Sequence, residues 1–450
     1  MALNFYENLS SDFIKLLENG DEHNVIIEVG ESSIMQPFKV HSTVLCYDVT
    51  IYHNGVIIND RLLIIAGFKN FTQSSELFYL DLLNSFDTSN VLWNLIHNGD
   101  LPIYTYGSTA IASLDNSTIF LIGGYIKNKT TNEFDYSKQV YTYDYNTSKW
   151  TTPSITGDSI PERQQMTGVI NTSGTIYIFG GFNITNAITQ AGKTYNDMNI
   201  LDTFSFTWKS LSITNNIPLP GSDYSTCILP NGIIVYIGGQ EEISYDKPSY
   251  LLGMKKIKLF DTKKDEWSSM EATGDDVDPR WIFSSVLTPD GRIIIFGGCT
   301  YDFTGVSPNL AVLDTTKNPY EWSIPSNSKV NLPPSIYGHT ANLYYNYMIV
   351  TFGFNIDNKT YNSQVYLFDI RNNTWVTRFD PSTPISSPTS TSSPTPSRKP
   401  LLIGLGIGIG VVVLICIGIF IFYKRDRILR IDSTVSDRIH NDRIAGTGGD

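Results

Sequence analysis

Few side chains in this 450-residue chain are of the kinds that carry out chemistry, and their spacing does not assemble them. Between residues 48 and 380 the histidines are His53, His97 and His339. The four cysteines, Cys46, Cys227, Cys299 and Cys416, are too scattered for a disulfide scaffold or a zinc knuckle. Cys227 and Cys299 read as two buried free thiols, with a bridge between them as the alternative. The sequence contains no His-Glu-x-x-His, Cys-x-x-Cys or serine nucleophile elbow. Glu241-Glu242 and Asp275-Asp276 are the paired carboxylates. Both pairs fall in predicted loops and read as solvated faces rather than as a general acid and base. No metal site, cofactor or catalytic residue is expected.

What the sequence does repeat is structural. The phrases LLIIAG (62–67), IFLIGG (119–124), IYIFGG (176–181), IVYIGG (234–239), IIIFGG (293–298) and MIVTFG (348–353) return at intervals of 57, 57, 58, 59 and 55 residues. None of them runs on into the Gly-Lys-Ser/Thr of a phosphate-binding loop. Each reads as a buried strand and its exit turn. A second signal keeps step: an apolar strand ending in Asp, then Trp, as in TYDYNTSKW (142–150) and LFDTKKDEW (259–267). Six of the seven tryptophans sit in this register, and Trp281 does not. Asp followed by polar residues is turn chemistry, so each unit should end in a hairpin. A Pro-containing loop and a further strand precede most of the phrases. Each unit therefore has four short strands and two apolar faces that only a neighbouring unit can cover.

Aromatic residues make up 12% of the chain, which suits sheets. The net charge of −12 argues against a general nucleic-acid binder.

Glycine doublets followed by Asp and Trp at this spacing resemble the kelch repeat, over roughly residues 48–380. The resemblance implies an all-β fold, a six-bladed kelch β-propeller. The long units look like those of the attractin- and muskelin-like and galactose-oxidase-type propellers. Units one and six depart from the pattern, with Ala66-Gly67 and Phe352-Gly353 in place of the doublet. In kelch domains the loop leading into the first strand and the loop after the doublet share one face. The leading loops supply Tyr106, Arg163, Tyr224, Arg280, Trp281, Tyr337 and His339 as a candidate ligand-binding face, with Trp281 the preferred contact. Arg, Tyr and Trp are the usual anchors of recognition. The galactose-oxidase-type chemistry would need two His, two Tyr and a Cys-linked Tyr around copper, and the histidine supply is too small. The turns lack the Ser and Gly of a sialidase-type Asp box.

The two ends read differently. Residues 9–47 contain a short amphipathic helix, a strand (NVIIEV) and FKVHSTVL. Phe38, Val40, His41, Val44 and Leu45 resemble the opening of a BTB/POZ domain, so residues 1–47 read as a short α+β BTB-like fragment. Residues 381–400 form a Pro/Ser/Thr-rich stalk. Residues 401–423 are uncharged and would span about 34 Å as a helix, long enough to cross a bilayer. Lys424, Arg425, Arg427 and Arg430 follow that span, against Arg398 and Lys399 before it. The bias places residues 424–450 in the cytoplasm as a disordered tail. The expectation is a single-pass membrane protein at the cell surface, its C-terminus cytoplasmic. Sequons at Asn70, Asn116, Asn128, Asn146, Asn171, Asn183, Asn358 and Asn372 fit an external propeller. The N-terminus lacks the apolar core of a signal peptide, which opposes it. Gly404/Gly408 and Gly406/Gly410 have the spacing of a helix–helix dimer face.

The expected function is non-catalytic binding of a protein or glycan ligand at the cell surface. The alternatives are a cytosolic, tail-anchored adaptor of the BTB–kelch kind and a copper oxidase-like propeller.

Overall fold

The structure, a computed structural model, describes residues 26–29, 36–39, 51–69, 72–97, 99–186, 191–244 and 248–381. Residues 26–29 and 36–39 form an antiparallel hairpin, Ile26 opposite Lys39. The helical parts of the BTB-like reading, residues 382–450, Asn70, Cys46 and Cys416 lie outside the described residues. Among the described residues, no helix is long and apolar enough to cross a membrane.

Six sheets with four antiparallel strands each follow one another along the chain, and short parallel strands, Thr156–Gly157 and Thr273–Gly274, widen the third and fifth to five strands. The first consists of Asn54–Ile58, Arg61–Ile65, Leu77–Asp81 and Trp93–Leu95. The second consists of Thr109–Ala112, Thr118–Ile122, Val140–Asp144 and Lys149–Thr151. The third holds Gly168–Ile170, Thr175–Phe179, Met198–Asp202 and Thr207–Ser210. The fourth holds Ser225–Ile228, Ile233–Ile237, Lys256–Asp261 and Glu266–Glu271. The fifth is built from Ser284–Leu287, Arg292–Phe296, Leu310–Asp314 and Glu321–Ser323. Thr340–Tyr344, Tyr347–Thr351, Val365–Asp369 and Thr374–Val376 make the sixth. The first strand of each sheet contacts the first strands of both neighbouring sheets, the sixth meeting the first. The sheets are thus blades around an axis.

The repeated phrase is the second strand of each blade, and its unbroken apolar run has a physical reason. Alternate side chains of a strand point to opposite faces. In the fifth blade Ile293 and Ile295 join the core shared with the fourth, while Ile294 and Phe296 join the core shared with the sixth. Leu63 and Ile65 of the first blade likewise face the second, and Leu62 and Ile64 face the sixth. Both faces are covered, so both sets must be apolar. Each buried Ile or Leu contributes about 1.5–3 kcal/mol.

Trp lies on the fourth strand and packs across to the preceding blade. Trp267 lies 4.7 Å from Phe179, Trp375 lies 4.9 Å from Phe296 and Trp93 lies 5.2 Å from Phe352. The indole N–H of Trp322 donates to the carbonyl of Met254, and that of Trp150 to Gly99. The Asp before each Trp does what its position predicts. The carboxylates of Asp81, Asp144, Asp202, Asp261, Asp314 and Asp369 accept backbone N–H bonds within their own turns.

The doublet stitches blades together. Its second residue donates its N–H to the leading segment of the next blade: Gly124 to Arg163, Gly181 to Gly221, Gly239 to Arg280 and Gly298 to Ile336. A side chain on Gly297 would meet the Ile336 carbonyl at 2.3 Å, so the blades approach only because none is there. Closure is reinforced outside the ring, where Arg378–Phe379 pair with Phe86–Asp87 of the first blade.

Candidate functional site

Two or three positions before the first strand of each blade stands one residue in the left-handed region: Tyr52, Gly107, Gln165, Asp223, Ile282 and Gly338. These six ring the axis. Gly107 N–H donates to the Tyr52 carbonyl, Gln165 to Gly107, Asp223 to Gln165, Gly338 to Ile282 and Tyr52 to Gly338. Five links of a six-membered ring are therefore formed among the described residues. The last of them joins the first blade to the sixth.

Below the ring lies a channel of about 240 Å³, lined by the same four positions of every blade. Its walls are mostly hydroxyls and amides that bond one another. Asn54 donates to Ser108 Oγ at 2.8 Å, and the Ser225 and Ser285 hydroxyls are 2.6 Å apart. His53 and His339 face it from adjoining blades. His339 is buried and held down at about 3, chiefly by burial with the charge of His53 adding, so it is neutral at ordinary pH. No group of three or more His, Cys, Asp or Glu able to hold a metal occurs among the described residues.

Above the ring each leading segment pairs with the exit segment after its own doublet. Ile51 bridges Phe68, Ile103–Tyr106 pair with Tyr125–Asn128, and Gln164 bridges Phe182. Gly221–Ser222 pair with Gln240–Glu241, Trp281 bridges Cys299, and Ile336–Tyr337 pair with Phe354–Asn355. The two kinds of loop thus share one face, as the resemblance implies.

That face carries an aromatic collar in two arcs. On blades one and two, Tyr106 stacks on Tyr125 at 4.4 Å and lies 5.0 Å from Phe68 and 6.3 Å from Tyr52. On blades five and six, Trp281 lies 5.2 Å from Tyr301 and 5.7 Å from Phe303. Phe303 lies 5.4 Å from Tyr337, which lies 5.4 Å from Phe354. Tyr301 and Phe303 are 37% and 46% exposed, which makes this second arc an open apolar surface.

The sequence-derived face divides by its offset from the left-handed residue. Tyr106, Trp281 and Tyr337, one position before it, stand in the collar. Arg163 and Arg280, two positions before it, are 3% and 0% exposed. Arg163 donates to the Gly180 carbonyl and grips Asp197 with two nitrogens at 2.7 and 3.0 Å. Arg280 donates to the carbonyls of Asp278, Gly297 and Pro308, and burial lowers it to about 10. Both arginines clamp the first glycine of a doublet rather than face solvent. Tyr224 and His339, one position after the left-handed residue, wedge between blades: the Tyr224 hydroxyl donates to the Phe179 carbonyl and His339 packs on Phe296.

Sequence reasoning passed over the left-handed residues themselves and, among the collar members on the exit segments, Phe68, Tyr301, Phe303 and Phe354. Asp223 is the one that matters most. Its Oδ2 accepts from the Ser222 hydroxyl at 2.8 Å and from Gln240 Nε2 at 2.9 Å. Gln240 in turn accepts from the Tyr301 hydroxyl at 3.2 Å. Burial raises Asp223 to about 7, against the pull of those two bonds. Burial, with Asp223 adding, also raises the phenols of Tyr52, Tyr125 and Tyr301 and pushes the Cys299 thiol up to about 12.

Other candidates resolve as structure. Cys227 and Cys299 are buried free thiols. Glu241 is buried in an ion pair with Lys258 and does not face a second carboxylate, and Asp276 pairs with Lys255. Gly192-Lys193-Thr194 reads like the end of a phosphate loop but lies in strand Ala191–Thr194, paired antiparallel with Phe182–Asn186. A phosphate loop needs a helix start there. Of the sequons, Asn116, Asn146, Asn358 and Asn372 are exposed, and Asn128, Asn171 and Asn183 are half-buried.

The comparisons agree with this geometry. The bovine "Kelch domain-containing protein 3" is 26% identical over 258 residues, 55% of this chain and 63% of that protein. The chain therefore covers less than two thirds of that relative's length. The "Acyl-CoA-binding domain-containing protein 4" of Arabidopsis thaliana is 25% identical over 253 residues, 55% of this chain and 34% of that one. The solved structure of YjhT superposes with a TM-score of 0.54 at 14% identity, over 73% of this chain and 97% of that one, a likeness of fold alone. The KLHDC2/KLHL20/DRC7 Kelch-repeats domain matches residues 52–252 and 253–407, and the chain belongs to that family.

Proposed function

We propose that the propeller is a non-catalytic binding module that seats a protein partner on the collar face. The observation that carries this reading is the arc Trp281–Tyr301–Phe303–Tyr337. It is a continuous aromatic surface at the channel mouth, partly open to solvent, with Trp281 and Tyr337 on paired segments and Tyr301 and Phe303 on the turn that follows the Trp281–Cys299 bridge. Aromatic side chains with a polar tip are the usual anchors of protein recognition. Membership of the kelch-repeat family supports the same class.

The propeller's place is the cell surface, on a Pro/Ser/Thr stalk carried by the 401–423 span. The flanking Lys and Arg bias and the exposed sequons support this. Expression in a secretory cell and digestion with an endoglycosidase tests it. A mobility shift is expected, and its absence assigns the propeller to the cytosol. Proximity labelling of the full chain in that compartment, repeated with Phe303→Ser, tests the binding face. Partners should be lost from the variant, and an unchanged partner set removes the face.

A further inference from the structure

We propose that the mouth of the axial channel receives one basic side chain, lysine or arginine, of the protein partner. Asp223 is its counter-ion, and Tyr301, joined to Asp223 through Gln240, borders it. The inference rests on the reading of the collar as a protein-binding face and specifies the chemistry at its centre.

Three observations support it. First, Asp223 is a carboxylate without a cation. Both its hydrogen bonds go to Oδ2, and no lysine or arginine among the described residues forms an ion pair with it. Asp223 is half-buried, so a partner's side chain entering from the mouth can reach it. Second, the position is set by the backbone rather than by side-chain drift. Asp223 has a φ of 55°, and its N–H is bound to the Gln165 carbonyl in the mouth ring, while Gln240 and Ser222 orient its carboxylate. Third, its surroundings suit an organic cation. The Tyr301 hydroxyl reaches it through Gln240, and Tyr52, a member of the same mouth ring, lies 6.3 Å from Tyr106 of the first arc.

Aromatic faces attract ammonium and guanidinium groups. A hard metal ion would want several oxygen anions, and one carboxylate does not supply them. The channel of about 240 Å³ falls below the usual range for small-molecule sites, yet it accommodates one extended side chain delivered by a partner resting on the collar.

The test uses N-acetyl-arginine amide, N-acetyl-lysine amide and N-acetyl-glutamine amide as probes, with the full chain at pH 8. Binding is followed by saturation-transfer NMR and calorimetry. One or both basic probes should bind at about millimolar affinity, and the glutamine probe at least tenfold more weakly. Asp223→Asn keeps the size and the acceptor oxygen and should weaken the basic probes at least tenfold. Tyr301→Ala, at an exposed position, should weaken them about threefold and serves if the first variant fails to fold. Equal binding of basic and glutamine probes, or equal binding by wild type and both variants, overturns the proposal. Failure of the basic probes to bind wild type also overturns it. Partner capture that persists while the probes fail removes only the cation site. Probes that bind while Phe303→Ser leaves partner capture unchanged remove the collar reading instead.

Discussion

Trp93 of the first blade stacks on Phe352 of the sixth, with ring centroids 5.2 Å apart and planes 29° from parallel. Phe352 occupies the first doublet position with a φ of 58°, in the left-handed region that glycine tolerates best. His53 and Phe78 also meet its ring edge-on, at 5.4 and 5.9 Å. The closing seam thus trades backbone ease for an aromatic cluster. Phe352→Gly recreates the doublet and relieves about 1 kcal/mol of backbone strain. It also deletes a fully buried ring, which costs about 3–5 kcal/mol. A net loss of about 3 kcal/mol is expected in urea unfolding. Ala66→Gly, the matching change in the first blade, should shift stability by no more than about 1 kcal/mol. A neutral Phe352→Gly would show that the seam does not depend on this ring.

Arg280 and Trp281 are adjacent in sequence but have different duties. Arg280→Met leaves three carbonyls, that of Gly297 buried, without their donor and should cost about 3 kcal/mol in stability, read by urea titration. Trp281 is partly exposed, and its indole N–H donates to the Thr300 carbonyl at 3.1 Å. Trp281→Ala should cost less stability than Arg280→Met and weaken partner binding more per folded molecule. The reverse ranking would place the arginine, not the tryptophan, at the interface.

Asp223 couples stability and binding to pH with opposite signs. The native carboxyl keeps its proton up to about 7, whereas the unfolded one loses it near 3.8. Between those values the native state binds more protons, so stability falls as pH rises through this window and levels off above about 7. Asp223→Asn should therefore be more stable than wild type at pH 8, by a few kcal/mol at most, and lose that advantage near pH 4. Capture of a basic probe needs the ionised carboxylate and should strengthen as pH rises through 7. The facing groups Tyr52, Tyr125, Tyr301 and Cys299 are all raised and stay protonated across that range. Thermal melts of both proteins from pH 4 to 8 check the first sign, and probe titration checks the second.

Much of the fold was legible because it repeats. The apolar runs recur every 55–59 residues, the Asp turns and the fourth-strand tryptophans keep step with them, and each is forced by blades covering one another. The binding face was only half legible. Its location followed from the kelch resemblance, but a one-residue offset decides whether a side chain reaches solvent. Arg163, Arg280, Tyr224 and His339 are the very residues that a surface reading favours, and the inter-blade spaces consume them. Asp223 stands where Gly107 and Gly338 stand in other blades, so no residue type marks the position. Lining up the six leading segments on their glycines would have exposed that register. Tyr301 and Phe303 lie on an exit segment with no periodic signal, and only the bridge between Trp281 and Cys299 brings them beside the leading segment.

The most direct measurement is an amide-exchange footprint of the full chain with its captured partner bound. The account predicts slowed exchange in 103–106, 125–128, 281–283, 299–304 and 336–338, the paired segments around the mouth. Protection confined instead to the Asp turns at 81–84, 144–147, 202–205 and 369–372 would contradict it.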